Sequence, residues 1–210
     1  MNPAPDLADA LTAALRELAQ HLLLTFANPW ELDEAMLDAG FATGVCEAWD
    51  NDGLEPELAR ASRNAVTPVQ QTNPVLVRMV AEGRLGRSVA VGWYRYPGGG
   101  GLVIDPLVED LLREEARFAG ITRVDPAAGA LASYLIAGLT NAAARIVTQE
   151  RCRITDIDDA CSSAGMPRLF ELADETGARA LCAQISVQTG QVPAPLIAAV
   201  AAGGGRFTAD

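Results

Sequence analysis

The chain is poor in the groups that usually do chemistry. Among its 210 residues there is one histidine, His21, and aromatics make up 5%. The four cysteines, Cys46, Cys152, Cys161 and Cys182, form no C-x-x-C pair. A structural zinc site is therefore not indicated, and no metal ligand set is expected. Free thiols of this kind fit a reducing compartment, so a cytoplasmic chain is expected. No G-x-G-x-x-G stands between a strand and a helix, so the dinucleotide-binding loop is missing. No apolar run reaches the length of a membrane span, and Met1–Asp6 lacks the basic start and apolar stretch of a signal peptide. Positive charge is scarce too: 16 Lys and Arg face 27 Asp and Glu, for a net charge of −11. A phosphate-binding face needs clustered cations, so neither nucleic acid nor an anionic membrane is an expected partner.

What is present favours helices. Half of the residues are apolar, enough to bury a sizeable core. Ala, Leu, Glu and Arg are frequent, and these are strong helix formers. Leu7, Leu11, Leu15, Leu18, Leu22 and Phe26 recur at steps of three and four, which predicts one helix over 6–26 with Asp6 as its cap. Asn28-Pro29-Trp30-Glu31 reads as a capping box with proline at the first helical position. A short helix over 29–39 follows, and Gly40 can end it with a positive φ. After the bend Phe41-Ala42-Thr43-Gly44, an acidic helix is expected over 45–50. Further helices are expected at 55–66, 74–82, 105–118, 125–149, 156–163, 167–175, 178–188 and 194–202, with a loop at Thr67–Asn73.

The stretch 84–97 breaks the helical pattern. Its run Ser88-Val89-Ala90-Val91-Gly92-Trp93-Tyr94 is rich in β-formers and predicts an extended or irregular connector over 84–101. The four glycines Gly98–Gly101 read as a linker. They lack the Lys-Ser/Thr of a phosphate loop.

The plan of residues 28–53 returns at 153–177. Thr155-x-x-Asp158 reads as a second capping box, and Gly165 as a second helix stop. A constant offset pairs Leu11 with Ile136, Leu22 with Val147, Leu32 with Ile157, Asp33 with Asp158 and Gly40 with Gly165. One residue fewer pairs Glu47 with Glu171, Asp50 with Asp174 and Gly53 with Gly177. The expected fold is all-α, with two similar helical repeats at 1–97 and 105–202 packed through their long helices. A glycine-rich linker at 98–104 joins them, and 203–210 is expected to be a mobile tail.

These residues resemble the C-terminal helical domain of the 3-hydroxyacyl-CoA dehydrogenase family, in its duplicated form. There a long helix is followed by an Ile-Asp helix and then Gly-Phe-Pro-Met-Gly-Pro-Phe-Glu-Leu-x-Asp. Here the first copy has Leu32-Asp33, then Gly40-Phe41-Ala42-Thr43-Gly44-Val45-Cys46-Glu47-Ala48-Trp49-Asp50. The second has Ile157-Asp158, Gly165-Met166-Pro167 and Phe170-Glu171-Leu172-Ala173-Asp174. The family's connecting Gly-Arg-Lys-x-Gly-x-Gly-Phe-Tyr is similar to Gly86-Arg87-Ser88-Val89-Ala90-Val91-Gly92-Trp93-Tyr94. The likeness spans roughly 10–190. Ala42 and Val45 replace the prolines of the first bend, and Ser88 and Ala90 replace the Lys and Gly of the connector.

The resemblance implies a division of labour. In the family the catalytic His–Glu pair and the NAD loop lie on a Rossmann domain, and the helical domain closes the acyl-CoA cleft and supplies packing surface. His21 sits inside the first helix, and the family's Asn at the start of the long helix has no counterpart near Leu7-Ala8-Asp9. Asn141, where the second copy often has Asn, reads as structural. No catalytic residue and no cofactor-binding residue are therefore expected on this chain. NAD is expected only on a separate Rossmann-domain subunit, with acyl-CoA as the shared substrate and a homo- or hetero-oligomer as the assembly. Phe41, Thr43, Gly44 and Glu47 are the candidate substrate-binding residues of the first bend. Phe41 equally suits a core position, and Gly44 a turn. Trp49 and Trp93 read as buried. The carboxylates Asp33/Glu34 and Asp156/Asp158/Asp159 read as solvated first-turn residues favoured by the helix dipole. The alternative function is a non-catalytic acyl-CoA-binding or scaffolding protein.

Overall fold

The computed structural model describes residues 6–64, 74–125, 127 and 129–208. The expected loop at Thr67–Asn73, the end of the 55–66 helix and the helix start at Pro126 lie outside them. Among the described residues there are eleven α-helices, three short helical turns of other pitch and one two-stranded hairpin, so the fold is all-α as expected. The helices are α1 (Leu7–Thr25), α2 (Pro29–Asp38), α3 (Val45–Asp52), α4 (Leu54–Asn64), α5 (Pro74–Ala81), α6 (Pro106–Phe118), α7 (Ala130–Glu150), α8 (Ile154–Ser163), α9 (Leu169–Thr176), α10 (Ala178–Gln184) and α11 (Pro195–Gly203).

Two compact units share the chain. One holds residues 19–37 and 43–127, and the other 1–18, 38–42 and 128–210. The sequence reading divided the chain at the glycine run into contiguous halves, but the compact units are discontinuous. Local packing supplies a reason. The first part of α1 lies on α7, where a Cβ on Gly138 would stand 2.9 Å from the end of Leu18. The first bend also joins the second: the Ala42 N–H donates to the Gly165 carbonyl at 2.8 Å.

In the first unit, α2 starts as its sequence predicts, with Glu31 Oε2 accepting the Asn28 N–H at 2.9 Å. Asp105 caps α6, accepting from the Leu107 N–H behind Pro106. The connector folds into β1 (Tyr94–Arg95) and β2 (Val103–Ile104), paired antiparallel with Tyr94 opposite Ile104. The glycine run closes this hairpin. Gly98 and Gly99 take φ of 63° and 73°, a region that only glycine enters without cost.

In the second unit, α7 is the central helix. Leu131, Leu135, Leu139, Ala143 and Ala144 are buried on it. Its length and mean hydropathy of 1.3 match those of a membrane span, but 56% of that stretch is buried by the helices around it. Such burial is that of a core helix. Asn141, fully buried, accepts the Ala194 N–H at 2.7 Å and donates to Gln191 and to the Val192 carbonyl. That structural reading of Asn141 therefore stands.

One expected cap is corrected. α8 begins at Ile154, and Asp156, not Asp158, accepts the backbone N–H of Arg153, at 2.9 Å. Thr155 lies inside the helix. Residues 203–210, expected as a mobile tail, are tied down through Thr208: Phe207 is buried, and the N–H groups of Phe207 and Thr208 both donate to Asp174. Ala209 and Asp210 lie outside the described residues.

The close approach of α1 and α7 is testable. Gly138→Val should lower the unfolding free energy by about 1–3 kcal/mol through overpacking. Leu18→Ala in the same chain should recover part of that loss in urea titrations, because the two residues share one contact.

Candidate functional site

Two buried carboxylates organise the first unit around the predicted bend. Asp33 sits on the fifth residue of α2, past the first turn, and is 7% exposed. It reaches the start of α3, where Oδ1 accepts the Cys46 N–H at 2.9 Å and Oδ2 the Glu47 N–H at 3.0 Å. These are two of the orphan donors that every helix start presents. The hydroxyl of Tyr94 donates to Oδ2 as well, at 2.9 Å. Asp33 thus caps the following helix in place of a local side chain; Gly44, the residue at the N-cap position, offers none.

Asp50, 1% exposed on α3, does the same for the connector. Its Oδ1 accepts the Trp93 N–H at 2.8 Å, and its Oδ2 accepts the Tyr94 N–H at 2.9 Å and the Tyr96 hydroxyl at 3.0 Å. Arg84 braces the same loop, donating to the Gly92 carbonyl at 3.0 Å and to Asp105 at 2.7 Å. Three glycines make room for Asp33 and Asp50. A Cβ on Gly44 would stand 2.1 Å from Asp33 Cγ. One on Gly86 would stand 2.5 Å from the Asp50 carbonyl, and one on Gly92 1.9 Å from Asp50 Oδ1. Trp49 and Trp93 are buried as expected, and their rings lie 5.8 Å apart.

The electrostatics follow from burial. Desolvation raises Asp33 above its usual range, against the pull of the Cys46 and Glu47 N–H groups. The same effect lifts Asp50 to about 6, opposed by the Tyr94 and Trp93 N–H groups. Burial, then the nearby carboxylates, pushes the Tyr94 and Tyr96 phenols up. Cys46 is raised strongly by burial, then by Asp33 and Asp50, so it is not a thiolate nucleophile. His21 is lowered by burial, and its ring lies edge-on to Phe26 at 6.5 Å.

The predicted substrate residues fall into different settings. Thr43 is exposed, Gly44 buried and Glu47 half-buried, all at or just before the start of α3, which Asp33 caps. Phe41 belongs to the other unit, where it is 5% exposed. None of them lines the pocket of about 300 Å³ formed by Phe26, Asn28, Glu109, Arg113, Arg123 and Asp125. There Arg123 donates to the Ala27 carbonyl at 2.9 Å and to the Leu23 carbonyl, which ties down the end of α1.

Comparison with known proteins places this architecture. Residues 8–96 match the family described as 3-hydroxyacyl-CoA dehydrogenase, C-terminal domain. Over that span the chain is similar to this family. The peroxisomal bifunctional enzyme of Danio rerio is 31% identical over 111 residues, a stretch covering 46% of this chain and 16% of that enzyme. Two solved structures share the fold. The dehydrogenase part of multifunctional enzyme 1 from C. elegans superposes with a TM-score of 0.61 at 17% identity, covering 76% of this chain and 36% of that one. The 3-hydroxybutyryl-CoA dehydrogenase of Escherichia coli K12 gives 0.61 at 15% identity, covering 94% and 58%. The chain thus spans less than two thirds of each of these relatives.

Buried carboxylates also hold backbone N–H groups in residues 153–208. Asp158, fully buried, accepts the Phe170 N–H at the start of α9 at 2.9 Å. Asp174 accepts the Phe207 and Thr208 N–H groups at 2.6 and 2.9 Å. The reading of the Asp residues as solvated first-turn groups is therefore corrected for Asp33 and Asp158. Asp156 and Asp159 do lie at the surface, paired with Arg153 and Arg168. The signal that separates the two classes was in the sequence: Asp33 and Asp158 align in the repeat register, as do Asp50 and Asp174.

Gly92→Ala should destabilise the chain by at least about 3 kcal/mol, because its Cβ meets a buried carboxylate. Gly101→Ala, with open space around it, should change stability by less than about 0.5 kcal/mol in the same denaturation assay. The pH dependence of Asp50 has a definite sign. At about 6 in the folded chain against 3.8 for the free side chain, the native state holds this proton more tightly. The group's contribution favours folding fully below 3.8 and is lost as pH rises through 6. Carbon NMR of the Asp50 carboxyl should show a midpoint near 6; a midpoint at or below the free value would contradict the assignment.

Proposed function

We propose that this chain is the helical partner in a 3-hydroxyacyl-CoA dehydrogenase reaction, working with a nicotinamide-binding Rossmann domain carried on a separate chain. The observation that carries the reading is the family match over 8–96, which contains both Asp33 and Asp50 and the backbone groups they hold. The reaction removes a hydride from the 3-carbon of an acyl-CoA and a proton from its hydroxyl. Its hydride acceptor and base must be brought together at that carbon. In this reading the partner holds NAD and the base. This chain supplies a rigid wall to the acyl-CoA cleft, in which the exposed Thr43 and half-buried Glu47 meet substrate.

Rigidity is the property that supports such a role. A wall that closes a cleft must hold its position when water leaves, and Asp33 pins the first turn of α3 through two backbone bonds and a phenol. The carboxylates that do this are filled by donors, so they are not free to move substrate protons.

The purified chain with NAD and 3-hydroxybutyryl-CoA should give no absorbance rise at 340 nm. Turnover by the chain alone would end the division of labour. Affinity capture from native lysate should bring down a Rossmann-type dehydrogenase chain. Adding that chain back should restore NADH formation, and Glu47→Ala should raise KM more than it lowers kcat.

A further inference from the structure

The pocket of the first unit is lined by none of the bend residues assigned to the cleft wall. It lies where the corner between α1 and α2 meets α6 and the segment that follows it. α6 turns Glu109, Arg113 and Ala116 toward it, which the helical repeat places on one face. The irregular segment beyond α6 adds its alternate residues Ile121, Arg123 and Asp125. The Val124 N–H donates to the Thr25 carbonyl at 3.3 Å and keeps that segment against the end of α1. At about 300 Å³ the space suits a small organic molecule.

Donors dominate its polar lining. Arg123 is half-buried and bonds to the Leu23 and Ala27 carbonyls and to Asn28 Oδ1. These acceptors are all neutral, so among the described residues no carboxylate bonds to this cation. A guanidinium has further N–H groups to give. Asn28 spends its Oδ1 on Arg123, and its amide NH2 has no acceptor among the described residues. Arg113 stands at the rim, its side chain 63% exposed, paired with Glu109 at 2.5 Å. Burial and then the charge of Arg113 hold Arg123 below its ordinary pKa. Two cations that oppose each other across one cavity are both stabilised when an anion enters it.

We infer that this pocket binds a small organic monocarboxylate, with the carboxylate on Arg113 and Arg123 and a short apolar body on Phe26, Ala116 and Ile121. Charge sets the valence. Glu109 and Asp125 balance the two arginines, so a single negative charge is accepted, whereas a dianion such as phosphate faces both carboxylates. Shape sets the head group, because the planar fork of a guanidinium matches a carboxylate. The apolar side chains set the body, since they gain by losing water to a few carbons.

This site goes beyond the proposed dehydrogenase role, and its test needs neither NAD nor a partner subunit. Sodium butyrate titrated into the full chain should move the NMR signals of the Arg123 Nε–H and the Asn28 amide along a saturating curve, with a Kd in the millimolar range or tighter. Acetate, which lacks two of the methylenes, should bind about tenfold more weakly. Chloride at equal concentration should leave the signals in place, and phosphate should bind more weakly than butyrate. Arg113→Gln alters an exposed side chain, so its melting curve should match the parent while the butyrate Kd rises at least about tenfold. Arg95→Gln, at an exposed arginine of the connector, should leave that Kd unchanged. Shifts that grow linearly with butyrate, or equal shifts with chloride, overturn the site. So does a butyrate Kd that Arg113→Gln leaves in place. Phosphate binding tighter than butyrate overturns the assignment to a monocarboxylate.

Discussion

The carboxylate of Asp50 is filled on all sides: two consecutive backbone N–H groups and a phenol reach it in a pocket from which water is excluded. Burying a carboxylate is costly unless donors replace its hydration. Here the donors come from Trp93, Tyr94 and Tyr96, more than forty residues away in sequence, so meeting the needs of the carboxylate shapes the whole connector. Asp33 repeats the device one helix earlier and shares Tyr94 with it. Two side chains thereby order α2, α3 and the 84–96 loop as one piece, with few hydrogen bonds of regular secondary structure between them.

The same arrangement sets what these groups cannot do. A general base needs a free lone pair aimed at its substrate. Asp33 and Asp50 have their oxygens occupied by donors from their own chain. Cys46 is buried between them and held as a thiol. These three groups thus serve the shape of the first unit. The second half uses the device less completely. There the short hydroxyl of Thr208 bonds to Asp174. No phenol reaches Asp158, whose Oδ2 has no partner among the described residues.

Much of the fold was legible because local rules govern it. The apolar stripe of α1, the Asn28-Pro29-x-Glu31 start and the Asp105-Pro106 start act within a few residues, and the structure bears each out. Gly40 and Gly165 end their helices at positive φ, as their places after α2 and α8 predict. What was not legible was long-range. An Asp one turn into a helix looks like any first-turn acid until its partners are known. Asp33 and Asp158 were therefore read as solvated when they are buried. The hairpin around Gly98–Gly101 needed Val103 and Ile104 to be recognised as a strand, and two residues are too short a run for alternation to show. The compact units needed the Leu18–Gly138 approach, which no local pattern reports. At the candidate bend, the role of Gly44 as a turn residue was foreseen, but its reason, the carboxylate of Asp33, was not.

The glycines of the connector carry a consequence for how such sequences are read. Gly86 and Gly92 are excluded from being anything else by the backbone and carboxylate of Asp50, and the aromatic pair after them is held by the same group. None of these constraints involves a substrate or a cofactor. Folding requires them whatever chemistry the chain takes part in. The glycine–aromatic signature is thus a mark of architecture, and says nothing about whether a chain that carries it turns over substrate.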